Sequence, residues 1–295
     1  SLNTDFAQVE VDEQQVNLTR FNLFFPEKRE FFLEGQGIFA FGGAPLGGGG
    51  GINREIPILF FSRRIGLSPD PERATIPIIA GGKLTGKTRG WTLGLLNVQT
   101  GEEAVSRTDP TNFSVVRVRR DFLRRSNIGM ILTNRSVGVQ TADATRSYGA
   151  DGSFSFGPDF SASTYWTRAE SGTATKARES YRAFLDYNAD RWGAQYDLLG
   201  VGKNFNPEVG FTRRRDMQKN LGMLRFSPRP KHIAAVRKFA WETSFDHYTN
   251  HTGKLETRVS VLEDRSPGRS GMIAGSVGAS VVAGLLELGK WLAHR

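Results

Sequence analysis

Period-two alternation of apolar with small or polar side chains recurs from residue 77 to about residue 262, and it constrains the fold more than any other feature. In 148–156, Tyr148, Ala150, Phe154 and Phe156 alternate with Gly149, Asp151, Ser153 and Ser155. After a turn at Gly157, Pro158 and Asp159, the pattern resumes with Phe160, Ala162, Thr164 and Trp166. Successive side chains of a strand point to opposite faces, so both arms of this hairpin have one apolar and one polar face. Equally clear are Trp192, Ala194, Tyr196 and Leu198 against Gly193, Gln195 and Asp197, and Phe239, Trp241, Thr243 and Phe245 against Glu242, Ser244 and Asp246. This reading predicts strands near 77–86, 90–98, 112–120, 127–134, 148–156, 160–168, 181–188, 192–199, 219–226, 239–248 and 254–262. At about 8–10 residues each, they have the length that crosses a bilayer when tilted.

Soluble sandwiches and membrane barrels both want such strands, and the connections separate them. Lys87–Arg89, Asp121–Ser126, Gly157–Asp159 and Ala189–Arg191 are short, whereas 99–111, 135–147, 169–180 and 200–218 are long and polar. Short and long alternate until 227, after which 227–238 is long and 249–253 short. Outer-membrane barrels keep that rhythm, with tight turns on one rim and longer loops on the other. Trp91, Tyr148, Trp166, Tyr187, Trp192 and Trp241 lie near strand ends, where a membrane-interface girdle belongs.

Composition agrees. Only 38% of residues are hydrophobic and mean hydropathy is negative, which excludes a helical membrane bundle but not a barrel with a polar lumen. No Cys is present, so disulfide scaffolds and thiolate metal sites are excluded. The formal charge of +9 is spread over Arg63-Arg64, Arg117 to Arg125, Arg213 to Arg215 and Arg225 to Lys238. These read as solvated charge at strand ends and turns, and no motif suggests a nucleic-acid partner.

The two ends differ from the middle. Residues 1–76 carry an alternating strand around Phe6 to Asp12, a Phe- and charge-rich stretch within 21–52, a glycine run at 47–51 and a strand-like piece from Ile58 to Ile65. Segment 21–52 is expected to lie in or across the lumen, or at its rim. The apolar stretch 271–293 does not alternate; within the atypical tail 263–295 it is expected to be helical or disordered. The chain begins at Ser1 and opens directly into strand-like sequence, and eleven strands plus one or two make twelve or thirteen, where a single-chain barrel wants an even count. An incomplete barrel is therefore the expectation, with 1–262 as its body.

Four stretches carry a family resemblance: DFAQVEVDEQQVNLTRFNLFFPEKREFFLEG, KLTGKTRGWTLGLLNVQTG, YNADRWGAQYDLLGVGKNFNPEVGF and LRFSPRP. Over roughly residues 3–260 the chain resembles the DUF5916 family. That resemblance implies a bacterial envelope protein in which a carbohydrate-binding, family-9-like β-sandwich precedes an outer-membrane β-barrel, with this chain as the barrel part. It carries over no catalytic residues.

For chemistry, Glu27, Glu30 and Glu34 are the candidates for glycan hydrolysis, because paired carboxylates can act as acid and base. Their alternation with Lys28 and Arg29 favours a salt-bridged network instead. His247 and His251 have a helical metal-ligand spacing but fall at a strand end and loop, so no metal is expected. No Ser elbow, P-loop or dinucleotide fingerprint occurs, and no cofactor is expected. Asp151, Asp186, Asp197 and Glu242, with Gln195 and Asp246, lie on the polar strand face and are the candidate ligand-binding residues. The expectation is therefore all-β: an antiparallel transmembrane β-barrel in a bacterial outer membrane, in contact with the lipid bilayer. It would pass or capture a polar solute, with oligosaccharide as the class implied by the family. The alternatives are an outer-membrane glycan hydrolase and a structural anchor for the sugar-binding domain.

Overall fold

The computed structural model describes residues 24–44, 55–66, 75–104, 108–138, 144–170, 176, 178–230 and 238–264, with side chains described to residue 255. The strand-like stretch around Phe6 to Asp12, the glycine run and the apolar tail 271–293 lie outside these residues. Eleven antiparallel strands form one sheet in strict chain order. They are β1 (Ile78–Thr88), β2 (Trp91–Thr100), β3 (Thr111–Phe122), β4 (Ser126–Val137), β5 (Thr145–Phe156), β6 (Phe160–Glu170), β7 (Glu179–Asn188), β8 (Trp192–Val201), β9 (Met217–Phe226), β10 (Trp241–Thr249) and β11 (Leu255–Asp264). Each covers a run where the alternation predicts a strand. Among the described residues β1 and β11 are not paired, so the sheet is a meander open at that edge and not a closed ring. No helix there is long and apolar enough to cross a membrane.

The tight connections arise from local chemistry. Between β1 and β2 the chain reverses at Arg89 and Gly90, with φ of 45° and 81°. Two successive positive φ values suit a two-residue hairpin turn whose twist matches the strands, and glycine adopts one without strain.

The register divides the side chains into two faces. Val98, Phe113, Val115, Ile131, Tyr165, Leu199, Val201 and Met217 are buried on the inward face. One buried cluster draws Ile78 of β1 and Met217 of β9 together with Phe32, Phe39, Phe41, Leu59 and Phe60. In a flat sheet β1 and β9 would lie eight spacings of about 4.8 Å apart, roughly 38 Å. A single cluster reaching both requires the sheet to curl around the segments that precede it.

Those segments are 24–44 and 55–66, and neither contains a strand. Residues Glu30–Leu33 form a short helix, α1, and Gln36–Phe39 and Ser62–Arg64 form 3-10 turns. The strand expected from Ile58 to Ile65 is replaced by a single bridge: Ile58 and Phe211 exchange backbone hydrogen bonds of 2.8 Å. A mostly buried apolar run resembles a strand locally, but here Arg29 occupies two of its backbone acceptors. The Arg29 guanidinium donates to the Ser62 carbonyl at 2.7 Å and to the Ile65 carbonyl at 2.8 Å.

The sheet makes room for this insert. A Cβ on Gly94 of β2 would lie 2.9 Å from both Ile38 and Phe39, so the close approach depends on glycine. Lys83 of β1 donates to the carbonyls of Phe31 and Glu34, each at 2.7 Å. At the other side Tyr248 of β10 donates to Glu55 at 2.8 Å, and Lys219 of β9 lies 3.6 Å from the same carboxylate.

Candidate functional site

The inward face is apolar towards the long-loop rim and charged towards the tight-turn rim. The pairing Arg119↔Gly129 and Gly129↔Asp151 places β3, β4 and β5 side by side with these residues facing inward. Arg117, one row along, reaches over Gly129 to Asp151 in a two-pronged ion pair of 2.7 and 2.8 Å. Gly129 is what leaves that space, because a Cβ there would lie 2.7 Å from the Arg117 guanidinium. Asp151 also accepts the Gly42 backbone N–H at 3.1 Å, and Phe41 lies beneath the Arg117 guanidinium at 5.5 Å. A second buried pair, Arg182 of β7 with Asp197 of β8, has contacts of 2.6 and 3.0 Å. Bidentate geometry of this kind offsets part of the large cost of removing two charges from water.

Between the Ala40–Gly43 turn and the wall lies a cavity of about 340 Å³. Its wall includes Arg119, Asn127, Ser153, Ser163 and Phe184 beside the Arg117–Asp151 pair. Asn127↔Ser153, Ser153↔Ser163 and Ser163↔Phe184 are direct cross-strand neighbours, so these side chains form one row across four strands. The side chains of Asn127, Ser153 and Ser163 make no hydrogen bond to another described residue. The cavity thus combines converging polar groups with two phenylalanine rings, Phe41 and Phe184, the usual mixture of a small-solute site.

The sequence-predicted candidates are distributed unevenly. Asp151 lines the cavity, and Asp197 is committed to Arg182. Asp186 and Glu242 face inward and are half-buried. Glu27 is buried, and both its oxygens are taken. Oε1 accepts from the Lys28 and Arg29 amides and the Arg29 Nε, and Oε2 from the Arg29 guanidinium at 2.8 Å and the Ser62 hydroxyl at 2.5 Å. Burial pushes the Glu27 carboxyl up, but Arg29 and Ser62 outweigh it and hold the group below its ordinary value. Glu30 is exposed, and Glu34 is exposed and paired with Lys83 at 3.1 Å. The three carboxylates do not converge on a common opening. His251 lies 2.9 Å from Asp216, and no group of three ligands for a metal occurs among the described residues.

The outward face has the opposite character. Trp91, Trp166, Tyr187, Trp192 and Trp241 are exposed there, Tyr148 is half-exposed, and Leu84, Ile128, Met130, Leu185, Leu224 and Phe245 are exposed between them. At the tight-turn rim Trp192 and Phe226 stand 4.4 Å apart, and Phe226 stacks on Trp241 at 5.9 Å.

Sequence reasoning missed Arg117, Arg119 and Arg182. The expectation that the Arg117 to Arg125 cluster is solvated strand-end charge fails at Arg117, which is 1% exposed in mid-strand. The signal was present in Val116-Arg117-Val118-Arg119, where alternation puts both arginines on the face opposite the valines.

Fold and site together define an all-β protein: one antiparallel meander wrapped around an inserted segment, with a polar cavity between the two. The chain belongs to the DUF5916 family, a domain of unknown function whose model matches residues 1–262. No curated protein and no solved structure matches it.

Proposed function

We propose that this chain is the barrel region of a bacterial outer-membrane protein that captures a polar solute on its inward face. The observation that carries this reading is the inversion of polarity. Large apolar and aromatic side chains are exposed on the outside, while ion pairs are buried inside. A water-soluble protein rarely exposes so continuous an apolar surface, whereas lipid-facing strands require one. The open β1–β11 edge would have to be paired in a bilayer, because unpaired backbone groups in lipid cost several kcal/mol each.

The cavity supports capture, and segments 24–44 and 55–66 supply a plug across the lumen, so passage depends on moving that plug. Liposome swelling tests the pair of ideas. Swelling in an oligosaccharide solution is expected to exceed that of empty liposomes, and to rise further for Asp151→Ala, which releases Gly42. No swelling for either protein would reject passage. It would leave the second reading, a plugged anchor that displays the sugar-binding domain implied by the family, which the filled interior favours. Glycan hydrolysis has less support, since Glu27 is saturated and Glu30 and Glu34 lie apart from the cavity.

A further inference from the structure

The charges around the cavity do not cancel. Arg117 is balanced by Asp151 and Arg182 by Asp197. Arg119 has one carboxylate neighbour among the described residues, Asp121, at 3.4 Å, and that carboxylate is shared with Lys87 at 3.3 Å. With its carboxylate shared, Arg119 is left under-neutralised at the cavity wall. The Arg119 side chain is 30% exposed, and its buried Nε faces Asp121 without forming a hydrogen bond to it. A guanidinium left partly desolvated and under-neutralised attracts an oxyanion strongly and offers it a fork of donors.

Beside it runs the row of Asn127, Ser153 and Ser163, whose amide and hydroxyls lack partners among the described residues. Such a row suits hydroxyls that both donate and accept. We propose that the cavity binds a small polyol bearing a carboxylate, with the acid group on Arg119 and hydroxyls along Asn127, Ser153 and Ser163. This deepens, and rests on, the reading of the cavity as a polar-solute site. It reverses the sign expected from the sequence at this cavity, since the lining carboxylate Asp151 is consumed by Arg117 and Asp197 by Arg182, while Arg119 shares its one carboxylate neighbour among the described residues with Lys87.

The test is titration calorimetry on the full chain refolded in detergent, with glucuronate, glucose and inorganic phosphate as probes. Glucuronate is expected to bind at least tenfold more tightly than glucose. Arg119→Gln should remove that advantage, bringing glucuronate to within about twofold of glucose measured on the same variant, and Ser153→Ala with Ser163→Ala should weaken both sugars. Each variant is first shown to keep the wild-type circular dichroism. Equal binding of glucose and glucuronate, unchanged by Arg119→Gln, would overturn the assignment of the acid group and leave the polar-solute reading standing. Phosphate binding as tight as glucuronate would overturn the polyol part. If none of the three binds, the polar-solute reading itself fails, and this inference with it.

Discussion

Arg117 and Asp151 sit two strands apart, on β3 and β5, and meet over Gly129 in a bidentate pair of 2.7 and 2.8 Å. The pair joins wall to plug, because the same carboxylate receives the Gly42 amide. Replacing Asp151 with Ala leaves Arg117, whose side chain is 2% exposed, as a buried charge without its partner. The expected loss is about 3–5 kcal/mol, read as a lower urea midpoint for the detergent-refolded protein. Arg117→Met combined with Asp151→Leu should lose far less, because no charge is then stranded. Equal losses for both would show that the pair does not act as a unit.

Gly129 provides a separate handle on the same pair. Gly129→Ala places a methyl group where the guanidinium runs, 2.7 Å away, and forces it off Asp151. A loss of about 1–3 kcal/mol is expected from such overpacking. In the Asp151→Ala background the additional loss should shrink, since Arg117 is then free to move. Full additivity in this cycle would argue against the shared contact.

Glu27 makes the plug pH-sensitive. Its carboxyl titrates below its ordinary 4.5 in the fold, with burial opposing the shift and Arg29 and Ser62 imposing it. A carboxyl whose folded pKa is depressed stabilises the fold above its unfolded value, and loses that contribution as pH falls through the folded value. Protease nicking within 24–44 or 55–66 is therefore expected to increase below about pH 4.5 in wild type. Glu27→Gln should nick more readily at neutral pH and show a flatter pH dependence. A wild-type profile identical to that of Glu27→Gln would refute the role of this carboxylate.

Met130 is 67% exposed at mid-strand on the outward face. In a bilayer, Met130→Arg there should cost about 2–4 kcal/mol and reduce the fraction that folds into vesicles. On a water-facing sheet the same change would fall within about 0.5 kcal/mol. Folding yield of Met130→Arg into vesicles, compared with that of Met130→Leu, distinguishes a lipid-facing from a water-facing position.

What was legible in the sequence follows from range. Alternation is local, so the faces of Trp192, Tyr196, Asp151 and Asp197 could be read from neighbours in the chain, and the register keeps all of them. The family resemblance was likewise carried by contiguous stretches. The partners of those residues were not legible. Nothing near Asp151 announces Arg117, because the pairing is set by how β4 is interposed between them. Ile58 to Ile65 failed for a related reason: apolar periodicity cannot separate a strand from a buried extended turn when distant groups, Arg29 and Phe211, take its backbone bonds. Gly94 and Gly129 read as ordinary strand glycines until the insert and the ion pair they admit are in view.

The central claim is that the outward aromatic face meets lipid. It is tested most directly with a single-tryptophan variant that keeps Trp192, 55% exposed at the tight-turn rim, refolded into vesicles whose lipids carry bromine at different depths. Quenching that is strongest for bromines near the headgroups, and little affected by aqueous acrylamide, is the predicted result. Emission quenched by acrylamide and indifferent to brominated lipid at every depth would place Trp192 in water and contradict the account.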